Sequence, residues 1–288
     1  MTMNTSVYCQ VTAKGTGYWN CFDFLTELPN LKALIIYLED FRRGPVRCLQ
    51  FLDFWPNLNT IDLEHQQISN LRPLADLTEL ASIGFHDNYI EDLEPLGNLP
   101  NIVEMAIGMN LITDIIPIQN LVNLEKLWIQ NNFISDISAI QNLRNLRILN
   151  LSNNKITDYN PLKYLTKLEF LTVDKDYTDF DDADSERRLR ISDRKRVALH
   201  PETDLDEEKY PDFPIPQIKN RYGQTTRKKR SYLIREPDFL ENLTNLKRLS
   251  LQEHDIYDLS RFSKLRSLEY LNLAGNEISD LSPLLSVR

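Results

Sequence analysis

Leucine and isoleucine recur along this chain at a fixed interval of twenty-two residues. The interval separates six consecutive apolar positions and returns once more near the end of the chain: Leu58, Leu80, Ile102, Leu124, Leu146 and Leu168, then Leu246 and Leu268. An irregular first unit, with Leu31, Leu34 and Ile36, precedes them and is longer by about five residues. A fixed period of this length predicts an array of stacked repeats instead of a single closed core.

Each unit contains two apolar residues spaced by two, such as Leu127 and Ile129. In a strand, these two side chains face one side, whereas Lys126, Trp128 and Gln130 face the other. A unit this short cannot close its own core, so neighbours must stack, with strands about 4.8 Å apart. The pattern therefore predicts a parallel sheet whose outward positions line a concave face.

Two polar positions recur in the remainder of the unit. The ninth predicts a ladder of side chains that satisfy buried backbone groups: Asn88, Asn110, Asn132, Asn154 and Asn276, with Gln66, Asp176 and His254 as polar replacements. The thirteenth suits the entry of a short helical turn: Asn70, Asp92, Asp114, Asp136, Asp158, Asp258 and Asp280. Because few residues remain before the next strand, we expect 3₁₀ turns on the convex side. Turn capping explains the recurring aspartates better than calcium binding does.

The units 123–145 and 145–167 both follow the pattern LxxLxLxxNxIxDxxxLxxLxN. This pattern resembles the leucine-rich repeat family, specifically the short twenty-two-residue type typified by internalins. The resemblance implies an α/β-class solenoid with a parallel sheet on its concave face, 3₁₀ turns on its convex face and, here, one large insertion. Internalins carry an export signal and a wall-anchoring tail that this sequence does not show, so their location is not carried over.

The repeat spacing predicts four segments. Residues 1–30 form an N-terminal cap and first half-turn, 31–177 and 234–288 are leucine-rich repeats, and 178–233 are an insertion with blocks of charge. Val7, Cys9 and Val11 alternate like a capping strand. The last unit reaches Arg288 without a cap, so we expect either self-association there or a tolerated short strand edge.

Charge and cysteine usage narrow the function classes. Asp plus Glu total 42 against 33 for Lys plus Arg, a net charge of -9, which disfavours general nucleic-acid or membrane binding and favours a basic partner. The sequence contains no run of eighteen apolar residues, so we expect no membrane-spanning helix. Cys9, Cys21 and Cys48 lack CxxC spacing, which is typical of free thiols, and we expect a cytoplasmic protein.

The outward strand positions define a candidate protein-binding face. Its first part is acidic, with Asp62, Glu64, Asp87 and Glu104. Its middle carries apolar side chains that the core does not require: Tyr89, Met109, Leu111, Trp128, Phe133, Ile148 and Phe170. We expect the small residues Gly84, Ala106 and Gly108 to leave room above the strands. Contiguous exposed apolar residues with a central tryptophan are typical of an interaction surface, unless the insertion covers them.

The sequence contains no GxSxG, Walker A, GxGxxG, HExxH or paired-cysteine motif, and we expect no cofactor or metal. We therefore predict a non-enzymatic protein–protein interaction module that binds a basic protein on its concave face, with an immunity or inhibitor protein as the more specific form of this role. Two alternatives stay open. The basic runs of the insertion, including RKKR at 227–230, favour a nucleic-acid-associated protein, and the neighbouring pair His65 and His86 favours an enzyme.

Overall fold

The computed structural model describes residues 7–13, 30–38, 49–175 and 232–286. The chain separates into two compact units, one formed by Met1–Lys175 with Ser231–Arg288 and the other by Asp176–Arg230. All described residues lie in the first unit. The predictions made for Asp176, for most of the first half-turn and for the charged insertion lie outside the described residues.

The described residues form one sheet of ten strands that pair in parallel, in the order of the sequence. The strands are β1 Val7–Ala13, β2 Leu31–Leu38, β3 Thr60–Asp62, β4 Ser82–Gly84, β5 Glu104–Ala106, β6 Lys126–Trp128, β7 Ile148–Asn150, β8 Phe170–Thr172, β9 Arg248–Ser250 and β10 Tyr270–Asn272. Residues one repeat apart pair directly, for example Leu127 with Leu149. β8 and β9 are neighbours although a long segment separates them in sequence.

The core lies on one side of this sheet. Leu127 and Ile129 are fully buried, as are their equivalents in the other central repeats, because neighbouring units stack their apolar residues into one continuous cluster. Leu34 and Ile36 of the irregular first unit are buried in the same way. In the last unit Leu271 is only partly buried.

Short 3₁₀ segments return the chain to the next strand, as predicted. They span Gln50–Phe54, Arg72–Leu74, Glu94–Leu96, Ile116–Asn120, Ser138–Asn142, Asn160–Tyr164, Asp238–Asn242, Ser260–Lys264 and Ser282–Ser286. None of the helical segments in the described ranges is long and apolar enough to cross a membrane.

The thirteenth-position side chains cap these turns. Asp136 Oδ1 accepts the backbone N–H of Ser138 at 2.7 Å, and Asn70, Asp92, Asp114, Asp158, Asp258 and Asp280 accept the equivalent N–H at 2.8–3.0 Å. The N–H and hydroxyl of Ser260 lower the pKa of Asp258, and Ser282 acts likewise on Asp280. The predicted capping role is confirmed.

The asparagine ladder is also present. Asn132 Oδ1 accepts the N–H of Ile112 at 3.0 Å, and its Nδ2 donates to the carbonyls of Ile107 and Ile129 at 3.1 Å. His254 takes the place of asparagine in the ladder, and its two ring nitrogens make the equivalent hydrogen bonds. Nδ1 accepts from the N–H of Ile234, and Nε2 donates to the carbonyl of Val173. Ile234 therefore occupies the eleventh position of the interrupted unit, as the spacing predicts.

Candidate functional site

The outward face of each strand ends at the eighth position, where the backbone turns. There φ is positive in repeat after repeat: His65 59°, Asp87 52°, Met109 55°, Asn131 56°, Asn153 55°, Glu253 63° and Gly275 72°. Only glycine and, less readily, asparagine or aspartate adopt this left-handed conformation at low cost. Strand alternation therefore stops at this corner and cannot predict the direction of the side chains that follow.

The tenth-position residues show the consequence. The N–H groups of Tyr89, Leu111 and Phe133 donate to the carbonyl of the eleventh residue of the preceding repeat, at 2.8–2.9 Å. Their side chains pack along this flank and expose only 6%, 9% and 4% of their surface. The prediction that these three residues face outward is wrong, because the corner at the eighth position redirects the chain.

Three large apolar side chains do remain partly exposed on the strands: Trp128 on β6, Ile148 on β7 and Phe170 on β8. We call these three residues the apolar patch. Ile148 and Phe170 are direct register neighbours, and Trp128 lies one strand before Ile148 on a diagonal. In β6 the buried Leu127 lies between partly exposed residues, so Trp128 faces away from the core as the pleat predicts. Met109 is also partly exposed, at the corner after β5.

The acidic residues lie beside the first strands of the regular repeats. We call Asp62, Glu64, Asp87 and Glu104 the acidic end, and all four are partly exposed. Asp87 Oδ2 lies 2.7 Å from His65 Nδ1, and Glu104 Oε2 accepts a hydrogen bond from Lys126 Nζ at 3.1 Å. The four acidic residues are thus partly exposed beside the first regular strands, although Oδ1 of Asp62 is itself buried.

The glycines of this region accommodate neighbouring side chains. A Cβ atom on Gly84 would lie 2.5 Å from Asp62 Oδ1, so the carboxyl group of Asp62 rests against the glycine backbone. A Cβ atom on Gly108 would lie 2.8 Å from the amide of Gln130 and 2.9 Å from His86 Nδ1. The expectation that these two glycines leave open space is therefore wrong, whereas Ala106 lies between Gly84 and Trp128 as a short outward side chain.

An ion-pair network lies on the other side of the apolar patch. Glu169 accepts hydrogen bonds from Lys247 at 2.6 Å and from Arg147 at 2.7 Å, and these two cations lower its pKa. A depression of 310 Å³ is lined by Arg147, Lys167, Glu169, Asn245, Lys247 and Ser267. Sequence reasoning missed this network, although its charges recur at the second position of successive units.

His65 and His86 are neighbours, with ring centroids 6.0 Å apart and planes nearly perpendicular. The carboxylate of Asp87 orients His65. Among the described residues, no group of three histidine, cysteine, aspartate or glutamate side chains could hold a metal ion. The pair therefore forms a polar contact on the outward face without a further ligand from the described part of the chain.

A buried lysine borders the sheet at the eighth position of the sixth regular unit. Lys175 exposes only 6% of its surface, and its Nζ donates to the carbonyl of Asn154. Burial lowers its pKa from 10.5 to about 8. The sequence offered no signal for this burial, because residues as different as histidine, methionine, asparagine and glycine occupy the eighth position in other repeats.

The comparisons with known proteins agree with this architecture. The family model for leucine-rich repeats (two copies) matches residues 144–183 and 244–286. Bovine leucine-rich repeat-containing protein 23 is 46% identical over 57 residues, which cover 19% of this chain and 17% of that protein. The chain thus spans only a small part of that curated relative.

Two solved internalin structures from Listeria monocytogenes are similar to this chain. Internalin InlF matches with a TM-score of 0.66 and 26% identity, and covers 91% of this chain, which spans 60% of the InlF chain. Internalin C2 matches with a TM-score of 0.59 and 23% identity over 84% of this chain and 81% of its own. Leucine-rich repeat proteins generally mediate protein–protein interaction, and the fold is typically non-enzymatic. Residues 144–183 and 244–286 match the leucine-rich repeat model, and the twenty-two-residue units of this chain build a solenoid similar to that of the internalins.

Proposed function

We propose that this chain is a non-enzymatic module that binds a protein partner on its concave face. The observation that carries the proposal is the apolar patch: Trp128, Ile148 and Phe170 lie partly exposed on three consecutive strands, on the side opposite the core. Core packing does not require large apolar residues at these positions. A patch of large apolar residues that includes a tryptophan is a usual feature of an interface centre.

The partner in this proposal is basic. The acidic end adjoins the apolar patch, and the whole chain has a net charge of -9. Such a field attracts basic proteins and accelerates their association more than it adds affinity. An immunity or inhibitor protein is one specific form of this role, because neutralising a basic partner requires only a rigid surface of complementary charge.

The two rival functions have less support. The His65–Asp87 contact orients an imidazole, but among the described residues no group of three histidine, cysteine, aspartate or glutamate side chains could hold a metal ion beside it. The basic runs proposed for nucleic-acid binding lie outside the described residues. We also propose a cytoplasmic location, supported by the cysteine spacing, which fractionation of the source cells would test.

The test is capture of partners from the source lysate by the full chain, with and without nuclease. Trp128→Ala should weaken binding of the captured protein by about 2 kcal/mol or more, the scale of a central aromatic hot spot, while the thermal midpoint moves by only a few degrees. Tyr164→Ala is the matched control, because Tyr164 is an exposed aromatic residue on a 3₁₀ turn and should leave binding unchanged.

Leu127→Ala separates binding from stability. Leu127 is fully buried beside Trp128, so its truncation should cost roughly 2–5 kcal/mol of stability through a core cavity. If Trp128→Ala unfolds the protein to the same extent, or if the captured partner binds Trp128→Ala and wild type equally well, the proposed role of this face is wrong. Loss of the captured material on nuclease treatment would point to nucleic acid.

A further inference from the structure

The fifth positions of four consecutive repeats form one row across the sheet. Asp62 pairs with Gly84, Gly84 with Ala106, and Ala106 with Trp128. An acidic side chain therefore stands at one end of the row and a tryptophan at the other, and the two residues between them have no long side chain. The carboxyl group of Asp62 leans over Gly84, so the negative charge lies above the row itself.

Longer side chains stand on both sides of this row. Glu104 and Lys126 form an ion pair on the third positions, and His86 and Gln130 flank the row on the seventh. The row is thus a shallow path whose lowest point is Ala106, with the Glu104–Lys126 pair on one side of Ala106 and Trp128 and with His86 and Gln130 on the other side. A single extended strand follows a path of this low relief more closely than an α-helix does, because a helix with its side chains is about 10–12 Å wide.

Resting on the proposed function, we infer that the partner presents an extended segment that crosses the strands along this path. Its cationic side chain lies at Asp62 and Glu64, and its bulky apolar side chain lies on Trp128 and the adjoining Ile148. Three strand steps separate the backbones of Asp62 and Trp128, about 14 Å at about 4.8 Å per step, and the carboxyl group of Asp62 lies one step nearer to Trp128, over Gly84. An extended peptide covers the distance from the carboxyl group to Trp128 in about three to four residues, at about 3.3 Å per residue.

The recognised feature is therefore a lysine or arginine placed about three to four residues from an aromatic or large aliphatic residue. Charge complementarity selects the cation, and the apolar patch selects the anchor. The peptide residues between the cation and the anchor must be small, or their side chains must point away from Ala106. A larger side chain would find space on this protein only above Ala106.

A displayed library of random twelve-residue peptides tests the inference, with the wild-type full chain as bait and Trp128→Ala as the depletion step. The enriched peptides should share a basic residue and an apolar residue at the stated spacing. One enriched peptide is then synthesised for affinity measurement. Ala106→Gln, which fills the path with an outward side chain, should weaken its binding by about tenfold or more without changing the thermal midpoint.

Ala75→Gln is the matched control, since Ala75 is exposed at the end of a 3₁₀ turn away from the path and should not change affinity. Asp62→Asn should remove the preference for the basic residue. The inference would be overturned, and concave-face binding left intact, by either of two results. The enriched peptides require Trp128 but bind Ala106→Gln with the affinity of wild type, or they share no basic residue. Failure to enrich any Trp128-dependent peptide would also overturn it, and the capture experiment would then decide the proposed function.

Discussion

Asn132 shows how one side chain supports three segments of backbone. Its carboxamide accepts the N–H of Ile112 and donates to carbonyls of its own unit and of the preceding one. Asn132→Ala should destabilise the protein by about 1–3 kcal/mol, because these buried backbone groups lose their partner. Urea melts provide the measurement.

Asn142→Ala is the control for this prediction. Asn142 lies in the same repeat but is exposed at the end of its 3₁₀ turn, so its truncation should cost less than about 0.5 kcal/mol. Equal losses for the two variants would show that the ladder does not carry stability. Asn153 would be a poor control, since it has positive φ and donates to Asn131.

The lowered pKa of the buried Lys175 implies that the stability of the protein depends on pH. Its pKa of about 8 in the folded protein lies below the ordinary value of 10.5. Between these two values the unfolded chain binds more protons, so stability should rise as pH rises from about 8 to about 10.5. Below pH 8 the lysine is charged in both states, and the penalty, about 3 kcal/mol by the pKa difference, is fully present.

Lys175→Met should therefore stabilise the protein at pH 7, by about 2 kcal/mol once the lost hydrogen bond to Asn154 is subtracted. The gain over wild type should shrink as pH rises towards 10.5. Urea melts at pH 7 and pH 10 would check both statements. A gain that is the same at both pH values would show that the charge of Lys175 is not responsible.

The eighth position also marks where the sequence stops predicting which side chains face outward. Leu127 and Trp128 were placed correctly because period-two alternation holds within a strand. Phe133 was placed wrongly because the positive φ of Asn131 lies between it and the strand. No property of the sequence alone distinguishes this corner clearly, since histidine, methionine and glutamate occupy it as well as asparagine.

At the scale of the element, the 3₁₀ turns depend on their caps. Asp136 accepts the N–H of Ser138 at the start of Ser138–Asn142. Asp136→Ala should cost about 1 kcal/mol, the usual loss for a removed N-terminal cap. Gln141→Ala in the same exposed turn should have little effect, and a comparison of thermal midpoints would reveal the difference. Indistinguishable midpoints would indicate that the turns hold by packing alone.

The strands and 3₁₀ turns were predictable because the same pattern of apolar and polar residues recurs in each repeat. Strand, ladder and turn positions recur at fixed offsets, so one irregular unit does not obscure the register. Beside the ladder, a second set of hydrogen bonds from asparagine side chains to the backbone was not predicted, although asparagine repeatedly precedes the first leucine of a unit. Asn101, Asn123 and Asn145 each donate from Nδ2 to a carbonyl of the preceding unit, at 2.8–2.9 Å.

At the scale of the whole molecule, the solenoid is continuous across the interrupted unit. β8 pairs with β9 in the same register as the other strands, and His254 bonds both Val173 and Ile234. Stability in a repeat array comes mainly from contacts between nearest neighbours. We therefore expect that residues 178–233 are not needed to hold the two sets of repeats in phase, since Asp174 and Lys175 also bond Gln252 across the junction.

Deleting residues 178–233 should accordingly leave a folded protein. The deletion joins Tyr177 to Ile234 and sets Leu168 and Leu246 twenty-two positions apart, the spacing of every regular unit. We expect cooperative unfolding with a thermal midpoint within a few degrees of wild type. A deletion that also removes Ile234 is the matched control, because it takes away a buried core residue and the donor to His254, and it should be less stable by roughly 2–5 kcal/mol. An insoluble or non-cooperative product from the first deletion would mean that residues 178–233 are required to complete the core.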